Sequence, residues 1–196
     1  MSDATSVPSM SAPLAPTVRS AQVAAWTEQH AQDVIRLRLV TVADAEFIYG
    51  LRQEASLNTH LSRAPETVAD QRGWLSAYAL REQAGEEYYF IIEGADGPLG
   101  TVRLYRFTSE GHFTWGSWVI RRAAPIRAGI HSALMIYALA FETLKLKESR
   151  FEVRKCNARV IAFHERCGAE LVGENELELL FRFSQGAYLN MKARYS

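Results

Sequence analysis

The chain has 196 residues, enough for one domain around a single core, with 48% apolar and 11% aromatic residues to fill it. Its 22 Lys and Arg balance 22 Asp and Glu, so no global field draws it to nucleic acid or to an anionic membrane. The two cysteines, Cys156 and Cys167, have neither CxxC spacing nor the density of a disulfide scaffold, which predicts reduced thiols, a cytoplasmic protein and no metal centre.

The opening "MSDATSVPSMSAPLAPTV" holds almost nothing to bury and reads as a disordered tail without the basic-then-apolar order of a signal peptide. No apolar run approaches the roughly 20 residues of a membrane-spanning helix. "SAQVAAWTEQHAQD" can add an amphipathic turn or two anchored on Trp26, so residues 1–33 are expected to be a disordered or weakly helical tail and 34–196 a single domain. "VIRLRLV" alternates as a half-buried strand, and Thr41 is placed to cap a helix whose Phe47, Ile48 and Leu51 share a face. After the loop "SLNTHLSRAP", a second helix runs through Val68, Trp74, Leu75 and Tyr78. "EEYYFIIEG", "LGTVRLYRF" and "HFTWGSWVI" form an antiparallel meander, the first two joined at the tight-turn pair Asp96-Gly97.

"AGIHSALMIYALAFETLKL" carries Ile130, Leu134, Tyr137, Phe141 and Leu144 on one stripe, the pattern of a buried helix. Strand "SRFEVRK", helix "ARVIAFHERC", strand "AELVGE" and a last strand near "LLFRFSQGAYLNMKARY" complete the chain. Three strands arriving together rule out a doubly wound fold. They predict an α+β fold: a mixed, mostly antiparallel sheet of about seven strands with helices on both faces, three layers in all.

In "RKCNARVIAFHERCGAELVGE", Asn157 is an N-cap, and Val160, Phe163, His164 and Cys167 recur at i, i+3, i+4 and i+7. His164 therefore faces the sheet. Together with "GSWVI" and "RAGIHSALMIYALAFETL", this stretch resembles the GNAT superfamily of acetyl-CoA-dependent N-acetyltransferases over about Ile35 to Tyr195. The resemblance implies acetyl-CoA as co-substrate and direct attack of a primary amine on the thioester, with no covalent enzyme intermediate.

It also implies a role for particular residues. The edge of the fourth strand at Trp118, Val119 and Ile120 would pair with the pantetheine arm. Arg127, Ala128, Gly129, Ile130 and His131, at the start of the buried helix, would hold the pyrophosphate on free N–H groups. The plain alternative for Gly129 is a tight turn. The family's loop has Arg or Gln three residues before its central Gly and Gly or Ala two after it; here Ile126 and His131 stand in those places. Asn157 and Phe163 would lie beside the cofactor, Asn157 in addition to its capping role. A family Tyr that protonates the leaving thiolate is replaced by His164, either an acid pushed towards its charged form by that anion or an ordinary core histidine.

The general base that the resemblance calls for has candidates in Glu86, Glu87, His112 and His60, which spacing does not separate; Glu87 is carried forward with His164 as catalytic. Arg52, Asn58, His60 and Trp115 are expected to bind the acceptor, whereas Trp74 and Tyr78 serve packing as readily as recognition. The segment is similar to branches acting on nucleotide-linked amino sugars for surface polysaccharide synthesis and, less closely, on ribosomal-protein N-termini. A peptide acceptor predicts an open acidic groove, and a sugar acceptor an enclosed pocket with Arg groups. A third reading, a catalytically reduced acyl-CoA-binding module, follows from the missing Tyr and the irregular loop. Aromatics in the last strand suggest a homodimer.

Overall fold

The computed structural model describes residues 17–30, 35–54 and 65–195. It begins with helix α1 (Val18–Gln29), capped by Thr17, whose hydroxyl accepts from the amide of Ser20. Val23 and Trp26 are fully or nearly buried, and Ser20 Oγ donates to the carbonyl of Glu82 at 2.6 Å. Residues 18–29 are thus a docked helix rather than tail; the two apolar anchors suffice because the helix lies against the body of the protein. Residues 1–16 lie outside the described residues.

Strand β1 (Arg36–Leu39) leads through a 3-10 turn (Val42–Asp44) into α2 (Ala45–Gln53). Asp44 accepts from Thr41 and from two nitrogens of Arg38, at 2.9 and 2.7 Å, which ties the turn to the strand. Helix α3 (Val68–Gln83) starts in a Thr67–Asp70 capping box. The meander β2 (Tyr88–Gly94), β3 (Gly97–Tyr105) and β4 (His112–Ile120) follows. The turn at Gly97 has φ +117°, which an L side chain seldom adopts. Helix α4 (Ala128–Ala138) ends in a π turn over Leu139–Thr143. The chain closes with β5 (Glu148–Arg154), α5 (Ala158–Cys167), β6 (Glu170–Glu174), β7 (Glu178–Ser184) and α6 (Gln185–Tyr195).

The end of the chain corrects the expected long last strand. After Ser184 the period changes from two to helical, with Tyr188 and Met191 buried at i and i+3, and Ser184 Oγ accepts from the amide of Ala187 as a cap. Phe181, Phe183 and Tyr188 are each 1% exposed. The aromatics that suggested a dimer face the core instead.

The seven strands order as β1-β2-β3-β4-β5-β7-β6, every pair antiparallel except β4–β5. Helices cover both faces, as expected. Ile48, Leu75, Tyr78, Tyr89 and Ile91 join α2 and α3 to one face. The larger core lies on the other, between the sheet and α1, α4 and α6. Helix α4 is buried almost all round because it is sandwiched there, so its inward stripe is wider than its spacing alone implies.

Candidate active site

Strands β4 and β5 pair only at His112↔Glu148 and Phe113↔Ser149 and then part. Past Phe113 no backbone pairing joins β4 to β5, although Thr114 Oγ1 still donates to the carbonyl of Arg150 at 2.7 Å. Opposite β3, the register slips by one residue between Thr101↔Val119 and Arg103↔Gly116. Ser117 and Trp118 therefore share one partner, a bulge that bends the strand. Ser117 takes φ +47°, and its carbonyl accepts from Thr101 Oγ1 at 3.0 Å.

Trp118 reaches the start of α4. Its indole N–H donates to Ser132 Oγ at 3.0 Å, and that hydroxyl donates to the carbonyl of Gly129 at 2.9 Å. The indole also lies 4.8 Å, centroid to centroid, from Phe163 on α5. Arg127 gives the helix no side-chain cap, and among the described residues the amides of Gly129 and Ile130 meet no protein acceptor. A helix N-terminus in that state binds anions through its N–H groups and dipole. Arg127 is exposed beside it, and Ile126 is fully exposed in the preceding loop. Trp118, Ile120, Gly129 and Phe163, far apart in sequence, are thus brought together at the β4–α4 junction.

His164 lies deeper. It is 6% exposed, with Phe151, Phe163 and Trp115 at centroid distances of 4.3, 5.4 and 5.5 Å. Burial among these rings pushes its pKa down to about 4. In the folded chain the neutral imidazole is therefore the favoured form at neutral pH. Asn157 caps α5, its Oδ1 accepting from the amide of Val160 at 3.3 Å, and Gly168 ends the helix at φ +95°.

The parting of β4 and β5 opens a cleft of about 260 Å³ on the α2 and α3 side. Trp115, Ser117, Val119 and Phe151 line it together with Arg52, Tyr105 and Glu152. An adjoining cleft of about 140 Å³ is lined by Arg52, Arg103, Trp74 and Gln71 among others. Of the residues expected to bind the acceptor, Arg52 and Trp115 both line the first cleft. Asn58 and His60 lie outside the described residues.

Glu87 is not on either cleft. It is 4% exposed, and its two oxygens are taken by Arg81 Nε at 2.6 Å and by Arg103. Both guanidinium groups also lie near the ring of Trp74, at 5.3 and 5.5 Å. A carboxylate so engaged serves as a structural counter-charge rather than as a free base. Trp74 stacks on Tyr78 at 5.8 Å and meets Tyr89 edge-on, so packing accounts for it. His112 sits at the closed end of the β4–β5 pairing, 4.0 Å from Glu148, and Glu86 is exposed.

Sequence reasoning missed Tyr105 and Glu152. Burial raises the Tyr105 phenol above its usual pKa, and the Glu152 charge adds to that rise. The period-two alternation of β3 and β5 does put Thr101, Arg103 and Tyr105 on one face, and Arg150 and Glu152 on one face. Which face bears the cleft is a tertiary fact.

A GNAT acetyltransferase domain model matches residues 35–170. The chain belongs to the GNAT family. Among solved structures it is similar to apo FdhC, a nucleotide-linked sugar GNAT, at 40% identity over 83% of this chain and 93% of that one, with a TM-score of 0.77. It shares the fold of the Vibrio cholerae spermidine N-acetyltransferase in complex with CoA and spermine, at 18% identity, 81% and 100% coverage and a TM-score of 0.69. It likewise shares the fold of a GCN5-related N-acetyltransferase from Brucella melitensis, at 17% identity, 84% and 82% coverage and a TM-score of 0.71. No curated protein matches the chain. As a GNAT member it is an N-acetyltransferase, and GNAT enzymes take their acyl group from acetyl-CoA. No helix among the described residues is long and apolar enough to cross a membrane.

Proposed function

We propose that the protein transfers the acetyl group of acetyl-CoA to the primary amine of a nucleotide-linked amino sugar. The observation that carries the reading is the pair of joined clefts beside the open edge of β4, with Arg52 on both, Arg103 on the second and Glu152 as the acidic residue among the described lining residues. A guanidinium pair suits a diphosphate, and Arg103, which also holds Glu87 through one nitrogen, has further N–H donors for it. A polyamine or a basic peptide would call for several carboxylates, and the described lining offers one. The 40% identity to a nucleotide-linked sugar GNAT points the same way.

The residues present fit acetyl-CoA. Trp118, Val119 and Ile120 lie on a strand edge open to an amide-bearing arm, and Gly129 and Ile130 present amides suited to its pyrophosphate. When bound, acetyl-CoA supplies the activated acyl group. The chain's own part is to seat the amine and thioester together, to keep bulk water out with Trp115, Trp118 and Phe151, and to hold a neutral imidazole at His164 whose single N–H can donate a hydrogen bond. Glu87, engaged by two arginines, is not available to take the amine proton.

The test is thiol release from acetyl-CoA over a panel of uridine- and thymidine-diphosphate amino sugars, spermidine and N-terminal peptides, with wild type and His164→Phe in parallel. Turnover confined to the amino sugars is the expected result. Turnover confined to spermidine or peptides would overturn the acceptor, and tight CoA binding with no turnover on any amine would favour an acyl-CoA-binding module. A loss of kcat in His164→Phe with CoA affinity unchanged would give His164 a part in the chemistry.

A further inference from the structure

Glu152 stands on β5 three residues past Ser149, the last residue to pair with β4. Its neighbours Phe151 and Val153 turn into the core, and on the other side it is opposed only by Leu180 of β7. Its carboxylate therefore stands at the gap where the strands part. Among the described residues its partner is Arg106, whose Nη1 lies 3.1 and 3.3 Å from the two oxygens. With the two side chains 61% and 40% exposed, such a pair holds its members weakly and gives way to a better cation.

The charges along the two clefts are ordered. Glu152 lines only the first, Arg103 only the second, and Arg52 both. A ligand matching that order is positive at one end and negative at the other. We propose that Glu152 seats the ammonium group of the acceptor, fixing its orientation with the amine in the first cleft and the anionic portion towards Arg52 and Arg103. This rests on the amino sugar reading, in which one molecule carries both charges. Glu152 is then a positioning residue, which draws the protonated amine to the gap before the free base forms and attacks.

The experiment uses the full chain, acetyl-CoA and the panel amino sugar nucleotide with the highest kcat/KM. Glu152→Gln at pH 7 is expected to raise the amine KM about 10- to 100-fold, the worth of one charge-assisted hydrogen bond. Acetyl-CoA KM and thermal midpoint should hold, and Glu152→Asp should recover most of the loss. The defect should shrink as pH rises above the amine's own pKa, because a neutral amine has no charge for the carboxylate to hold. Arg106→Gln should leave the amine KM unchanged or lower it. An unchanged amine KM in Glu152→Gln, or equal losses in Glu152→Gln and Arg106→Gln, would overturn the proposal while wild-type turnover left the amino sugar reading standing. No wild-type turnover on any amino sugar would overturn that reading, and this proposal with it.

Discussion

The indole N–H of Trp118 is bonded to the hydroxyl of Ser132, 3.0 Å away on the first turns of α4. This bond fixes the bulged end of β4 over the helix N-terminus, and Ser132 passes it on to the carbonyl of Gly129. Ser132→Ala leaves the half-buried indole donor without its acceptor, at a cost of about 1–3 kcal/mol. A lower thermal midpoint together with weaker CoA binding by calorimetry is expected. A lower midpoint with unchanged CoA affinity would make the bond purely structural.

Gly129 separates the anion-site reading from the turn reading. A Cβ there meets nothing closer than Trp118 Cζ2, at 3.5 Å, and Ala is the better helix former. Gly129→Ala should therefore leave stability unchanged or slightly raised. If the amides of Gly129 and Ile130 cradle a pyrophosphate, the added methyl crowds its approach, and CoA affinity should fall several-fold in the same variant. An unchanged affinity would return Gly129 to a turn.

At Gly100 the expectation is reversed. A Cβ there would lie 2.2 Å from the carbonyl oxygen of Val119 and 2.9 Å from Ile120 Cα, contacts with backbone that no rotamer change relieves. Gly100→Ala should force β3 and β4 apart and cost about 2–3 kcal/mol, read as a shift of the urea midpoint. The same displacement moves Val119 and Ile120, so CoA binding should weaken as well.

His164 makes stability depend on pH. Burial holds its folded pKa near 4, against about 6.5 in the unfolded chain. Above pH 6.5 neither state carries the proton, and the His164 contribution is fully present. As pH falls from 6.5 to 4 the unfolded chain takes up a proton that the folded chain refuses, and stability drops by up to about 3 kcal/mol. Denaturant titrations at pH 7 and pH 4.5 should show a smaller loss for His164→Phe than for wild type. Equal losses would mean that water reaches the imidazole.

Local chemistry was legible: Asn157 and Gly168 bound α5, the hairpin turns over Ala95 and Asp96 just ahead of Gly97, the apolar run "YYFII" is a strand buried on both faces, and the alternation of "FEV" marks a strand with one face buried. The helix after Ser184 was equally local, with a cap and Tyr188 and Met191 at helical spacing, but "LLFRF" ahead of it carried the strand reading too far. His164 facing inward followed from spacing.

What surrounds a residue was not legible. That His164 meets Phe151 and Trp115, that Glu87 is shared by Arg81 and Arg103, and that Glu152 stands at a gap all depend on pairings between distant strands. The sequence by itself determined the elements, their caps and the three-layer class, because those follow from periodicity and from hydrogen bonds within a few residues. Only the tertiary structure decided the cleft, because β4 and β5 pair for two residues and then part, and the bulge at Ser117 chooses which side chains line the opening. Neither is encoded in any single segment: each depends on how the twist and register of the whole sheet accumulate across seven strands.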